Sequence, residues 1–119
     1  VRIVGTRVVT ANYLKISDLM ADLVSEINRD SKDFIFHCSQ IHANFEQIHP
    51  FADGNGRIGR LLITTMLLKE DLPPAIIKQE DRQKYFTYLS KAQVDGDFSL
   101  LEDFLCEGVL LGYGIVEGV

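Results

Sequence analysis

Between His49 and Arg60 the chain reads HPFADGNGRIGR, and the residue types there are those that handle phosphate. His49 is the side chain most readily poised as a general base near neutral pH. Asp53 is a single carboxylate of the kind that holds Mg²⁺ when substrate oxygens and water supply the other ligands. Gly54-Asn55-Gly56 can turn successive backbone N–H groups toward an anion, and a helix starting there would add its positive end. Arg57 and Arg60 are spaced i, i+3 and share one face of that helix's first turn.

Each part has a plainer explanation. His49 can be a helix C-cap, Asp53 a solvated loop acid or helix cap, and Gly-Asn-Gly a turn. The arginines fit a plain account least, because two cations at a helix N-terminus repel each other and oppose its dipole. They need an anion, either an acid elsewhere in the fold or a bound polyphosphate. No Gly-Lys-Ser/Thr follows the glycines, so the stretch is not a P-loop. No strand precedes it, so it is not a dinucleotide fingerprint.

Helices must position these groups. Ser17 reads as the N-cap of a first helix through DLMADLVSEINR. Ser31 could cap a second, in which Phe34, Cys38, Ile41, Phe45 and Ile48 recur at steps of four and three. Pro50 forces that helix to stop at His49. A third begins near Asn55 or Gly56, is apolar on nearly every face, and is expected to be the most buried; DLPP ends it. A fourth fits EDRQKYFTYLSKAQV, closed by the turn DGD. A fifth fits SLLEDFLCEGVLLGYGIV, with Ser99 and Glu102 as a capping box. The opening VRIVGTRVV is β-branched and reads as a short strand. The expected architecture is an all-α bundle with a β-like N-terminal edge.

The 119 residues suit one domain, with 46% apolar and 24% charged residues. A net charge of −5 argues against a nucleic-acid partner, which needs a basic footprint. The longest apolar run, LLITTMLL, is too short to span a membrane. Cys38 and Cys106 fit buried free thiols in a reducing compartment, and a cytoplasmic location follows as the expectation. His37 beside Cys38 would point about 100° away on a helix, which disfavours a catalytic pair.

HPFADGNGRIGR resembles the Fic-family motif, H-P-F-x-[D/E]-G-N-G-R-x-x-R, at every fixed position. IHANFEQIHPF resembles the helix leading into it, LLITTMLLKEDLPP the helix after it, and YFTYLSKAQVDGDFSLLEDFL the family's following segment. VRIVG resembles the second strand of the substrate-positioning hairpin, the flap. The resemblance implies a single Fic domain over residues 1–119, a fragment lacking upstream residues, with flap strand and linker at 1–12 and a helical core at 17–115. It implies transfer of AMP from ATP to a Ser, Thr or Tyr hydroxyl of a target protein, releasing pyrophosphate.

By that resemblance His49 is the base, Pro50 and Phe51 are structural, and Phe51 anchors the loop in the core. Asp53 holds Mg²⁺ or Mn²⁺. Gly54, Asn55, Gly56 and Arg57 bind phosphates, and Arg60 meets the γ-phosphate. Arg2, Ile3 and Val4 pair with an extended segment of the target. His42 occupies a position where the family often has histidine and reads as packed core. Tyr85 and Tyr88 read as core residues, with either able to line the pocket. Many family members carry an inhibitory glutamate in an [S/T]-x-x-x-E-[G/N] helix that pairs with the second motif arginine. Glu107-Gly108 and Glu117-Gly118 have the right end, but Asp103 and Tyr113 stand where Ser or Thr is required. The inhibitor is therefore expected upstream in cis or on a separate antitoxin-like chain, and so is the charge partner of Arg60. A homodimer is compatible with the family. The alternatives are phosphate transfer as in Doc-type kinases, AMP removal, use of another nucleotide, and a non-catalytic ATP-binding regulatory module. Gly56, where the kinases carry a nearby lysine, argues against the first.

Overall fold

The computed structural model describes residues 12–117. A single 3-10 turn, Tyr13–Lys15, leads into α1 (Ile16–Ile27), followed by α2 (Phe34–Ile48), α3 (Asn55–Lys69), α4 (Arg82–Asp95) and α5 (Ser99–Glu117). A second 3-10 turn, Gln79–Asp81, precedes α4. The described residues contain no strand. The strand expected in VRIVGTRVV, and the flap around Arg2 to Val4 with it, lies outside them.

Helix starts differ from expectation at three serines. Asn12 Oδ1 accepts the Leu14 N–H (3.0 Å), and the 3-10 turn it caps runs straight into α1. Ser17 therefore lies inside the helix, not at its cap. Asp33 caps α2 by accepting the Phe36 N–H (3.1 Å), whereas Ser31 Oγ donates to the Asp33 carbonyl. At α5, Asp97 Oδ1 accepts from both the N–H and the hydroxyl of Ser99 (3.0 and 2.7 Å). Ser99 is the first helical residue, one residue further in than a capping box requires. In all three places an Asn or Asp carries out the capping that the sequence appeared to assign to serine.

The most buried helix is α2, not α3. It packs against α1, α3, α4 and α5. The main core joins its Cys38, Ile41, Phe45 and Ile48 to Leu23, Ile63, Met66, Leu67, Leu105 and Val109. α3 leaves Leu61 and Leu68 more than half exposed. Apolar residues on every face say that a helix can be buried, not which faces have neighbours. A smaller cluster of Ala43, Tyr85, Leu89, Ala92 and Leu101 ties α4 and α5 to α2. Gln93 Nε2 adds a bond to the Ala43 carbonyl (2.9 Å). Cys38 is fully buried and Cys106 exposed, both as free thiols. Burial pushes the Cys38 thiol up to about 12, so it carries no nucleophile at neutral pH.

Candidate active site

α2 ends where the sequence requires. Ile48 is its last residue, and His49 turns into the left-handed region (φ 52°, ψ 58°) while its N–H still bonds the Phe45 carbonyl (3.0 Å). A non-glycine residue held there stores strain of about 1–3 kcal/mol, kept only where the surroundings impose it. His49 Nδ1 is buried and has no hydrogen-bond partner among the described residues.

Pro50 to Gly54 then turn the chain into α3. Gly54 is its N-cap with φ 81°, a conformation that glycine adopts without cost. Its N–H donates to Asp53 Oδ1 (2.8 Å), leaving the second carboxylate oxygen for other partners. Asn55 staples the loop: its carboxamide accepts the Phe51 N–H (2.9 Å) and donates to the Phe51 carbonyl (2.8 Å). Phe51 itself is half exposed. The expectation that Phe51 anchors the loop in the core is thus corrected: two polar bonds from the buried Asn55 hold it. Those bonds also occupy the Asn55 side chain, so its contribution toward an anion is its backbone N–H.

The Ile58 N–H is bonded to the Gly54 carbonyl (3.0 Å), so the N–H groups of Asn55, Gly56 and Arg57 precede the first helical hydrogen bond. The guanidiniums lie back over the turn: Arg57 Nη2 is 3.6 Å from where a Cβ on Gly54 would be, and Arg60 Nη1 is 3.1 Å from one on Gly56. Neither arginine belongs to an ion pair among the described residues.

These groups share one cavity of about 380 Å³. Its walls are Glu46 from α2 and His49 just past its end, Asp53 to Arg57 and Arg60 from the loop and α3, and Arg82, Tyr85, Phe86, Ser90 and Gln93 from α4. Of the residues expected at the site, His49, Asp53, Gly54, Asn55, Gly56, Arg57 and Arg60 all meet here. Phe51 does not line it, sharing instead a neighbouring hollow with Asp53, Gly54 and Arg57, and Arg2, Ile3 and Val4 lie outside the described residues. Tyr85 reaches the cavity while remaining core, and Tyr88 packs edge-on against Phe104 instead.

Sequence reasoning passed over Glu46 and, apart from Tyr85, the α4 wall. The signal for α4 was available: Arg82, Phe86, Ser90 and Gln93 follow steps of four, four and three, one helical face. Arg82 lies 6.0 Å over the Phe86 ring, which places a third cation at the rim. Behind the cavity, His42 Nε2 and the Tyr85 hydroxyl are hydrogen-bonded. Burial holds His42 down at about 4, against the Gly59 backbone, which favours its charged form. His42 is therefore neutral at pH 7, as its reading as a packed core residue requires.

The donor set also bears on a metal. No cluster of three or more His, Cys, Asp or Glu side chains gathers among the described residues, so no closed protein cage exists there. A lone loop carboxylate beside free backbone N–H groups suits a cation that takes most of its ligands from phosphate and water.

The described helices thus present a histidine and two arginines around a helix N-terminus, an arrangement suited to an anion. The sequence model described as the Fic/DOC family matches residues 2–67, and the chain belongs to that family. The protein adenylyltransferase Fic of Aedes aegypti is 38% identical over 96 residues, covering 77% of this chain and 19% of that protein. The protein of the same name from Drosophila melanogaster is 41% identical over 66 residues, 56% of this chain and 13% of that one. The chain thus spans about a fifth or less of these relatives' length. Among solved structures, a Fic domain containing signaling protein from Bacteroides thetaiotaomicron superposes with a TM-score of 0.77 at 25% identity, over 92% of this chain and 48% of that one. Fic-1 from C. elegans gives 0.77 at 28% identity, over 98% and 38%. No described helix is long and apolar enough to cross a membrane.

Proposed function

We propose that the cavity binds ATP and transfers its AMP to a hydroxyl side chain of a target protein. The observation that carries this reading is the convergence of His49 with the open N-terminus of α3 in one cavity. In the reaction, the target oxygen bonds to the α-phosphorus, the bond to the pyrophosphate oxygen breaks, and His49 accepts the hydroxyl proton. The free N–H groups of Asn55, Gly56 and Arg57 and the two guanidiniums offset the phosphate charge. Asp53 would hold Mg²⁺, which when bound neutralises phosphate oxygens. The relatives named protein adenylyltransferase support AMP as the transferred group. A target segment pairing along Arg2 to Val4 completes the reading, and regulation falls to an inhibitory helix in cis or on a partner chain.

The test uses ATP labelled at the α- or the γ-phosphate, with Mg²⁺ and candidate target proteins. Label should move to protein from the α-position alone. Transfer from the γ-position alone would make the protein a kinase.

A further inference from the structure

Glu46 leaves α2 one turn before His49 and lines the same cavity as Arg60. It is 7% exposed, and its Oε1 is buried without a hydrogen-bond partner. An unpartnered buried carboxylate is costly and unexpected in a pocket that otherwise suits anions. The fold makes room for it: a Cβ on Gly59 would overlap Oε1 where it lies, so a side chain at that position of α3 would displace the carboxylate. Arg60 faces Glu46 from α3, Tyr85 and Arg82 line the same cavity from α4, and His42 and His49 flank it on its own helix. Of these, Arg60 is the one whose charge pulls the Glu46 carboxyl toward ionisation. Burial works the other way and dominates, holding it up at about 7.

We propose that Glu46 is the in-chain counter-charge of Arg60 and competes with nucleotide phosphate for it, so that capture of the triphosphate is coupled to uptake of a proton by Glu46. This rests on the ATP reading of the cavity and adds a residue that sets its affinity. The sequence suggested that Arg60 must find its anion on another chain or upstream. The structure supplies one acid on α2, too far for a closed ion pair yet close enough to act through its field. Before phosphate arrives, the carboxylate, when ionised, offsets the Arg60 guanidinium near the positive end of α3. When phosphate arrives, a carboxylate and a polyphosphate face the same cation, and the carboxylate's affinity for a proton rises. A proton from solvent then makes Glu46 neutral and leaves Arg60 to the nucleotide. By linkage, ATP affinity falls as pH rises through the titration of Glu46.

The experiment is calorimetry of Mg²⁺-ATP binding to the whole chain at pH 6, 7 and 8, in buffers of differing ionisation enthalpy, with wild type, Glu46→Gln and His49→Ala. Wild type should take up about half a proton more per nucleotide at pH 7 than Glu46→Gln, and lose up to about tenfold in affinity between pH 6 and 8 relative to it. His49→Ala should keep the excess uptake, which separates Glu46 from the imidazole at the cavity, while Asp53 is common to wild type and Glu46→Gln and cancels in their difference. A ¹³C-carboxyl titration of wild type should show one buried glutamate whose pKa rises on adding ATP, and it needs no variant to fold. ATP binding with equal proton uptake in wild type and Glu46→Gln, or with no carboxyl responding, would overturn the role of Glu46 and leave the ATP reading standing. No binding of ATP to wild type at any pH would overturn both.

Discussion

α2 carries two stripes that obey the same helical spacing and do opposite things. Cys38, Ile41, Phe45 and Ile48 fall on one and disappear into the main core. His42, Glu46 and His49, at steps of four and three, fall on the other, toward α3 and α4. The apolar stripe needs only contact, and its neighbours supply it. The polar stripe needs partners. Of the four buried side-chain polar atoms without one among the described residues, three belong to it: His42 Nδ1, Glu46 Oε1 and His49 Nδ1. A fold optimised for stability alone would not collect such deficits along a single line. Unsatisfied groups concentrated beside a cavity mark a surface held ready for something that is not part of the fold.

The sharpest way to break this contrast is to truncate one residue on each stripe. His49→Ala should lower AMP transfer by about 10²–10⁴-fold, the usual contribution of a general base, while the urea midpoint stays within error and ATP still binds. Transfer that survives would remove His49 from the chemistry. Phe45→Ala, one turn away on the other stripe, should cost about 3–5 kcal/mol of stability through its buried ring and the cavity left behind. Its residual activity should track the folded fraction. If Phe45→Ala instead lost transfer while fully folded, the two stripes would not be separable.

The contrast also explains what could be read in advance. The apolar stripe of α2 was legible from Phe34, Cys38, Ile41, Phe45 and Ile48, since burial depends on periodicity alone. The helix stop at His49 followed from Pro50, and the glycine turn from its composition. The motif placed His49, Asp53, Arg57 and Arg60 together, and the cavity contains all four. The stripe with the deficits was not legible. Glu46 is an ordinary surface residue in any periodic reading, and only the packing of α3, with glycine at 59, buries it. The Asn55 staple was equally hidden, because Gly-Asn-Gly suggests backbone freedom, whereas the side chain turned out to be the structural part. Burial of α3 was overestimated for the same reason: composition does not reveal which neighbours a helix will have.

A smaller effect tests how the loop between the stripes is held. Asn55→Ala removes both bonds to the Phe51 backbone and should cost about 1–3 kcal/mol. It should also reduce the thermal shift given by Mg²⁺-ATP, because the N–H groups of the first α3 turn lose their fixed direction. A variant with full stability would mean that the half-exposed Phe51 anchors the loop after all.

A last effect, spread over pH, concerns the two members of the polar stripe whose ionisation burial shifts, His42 and Glu46, which push stability in opposite directions. His42 ionises near 6.5 in the unfolded chain and near 4 when folded. The unfolded state binds the extra proton between those values, so this contribution is present above pH 6.5 and lost as pH falls toward 4. Glu46 ionises near 4.5 unfolded and near 7 folded. Here the folded state binds the extra proton, so its contribution is present below pH 4.5 and lost as pH rises toward 7. Between about pH 4.5 and 6.5 the two slopes cancel, and wild-type stability should be nearly flat. Glu46→Gln removes one slope and exposes the other, so its stability should climb from pH 4.5 to 6.5. Relative to wild type the gain should reach the order of 1–3 kcal/mol by pH 7, measured by urea unfolding at half-unit pH steps. Parallel curves would show that the Glu46 carboxylate ionises without penalty in the fold, and the polar stripe would then carry two deficits instead of three.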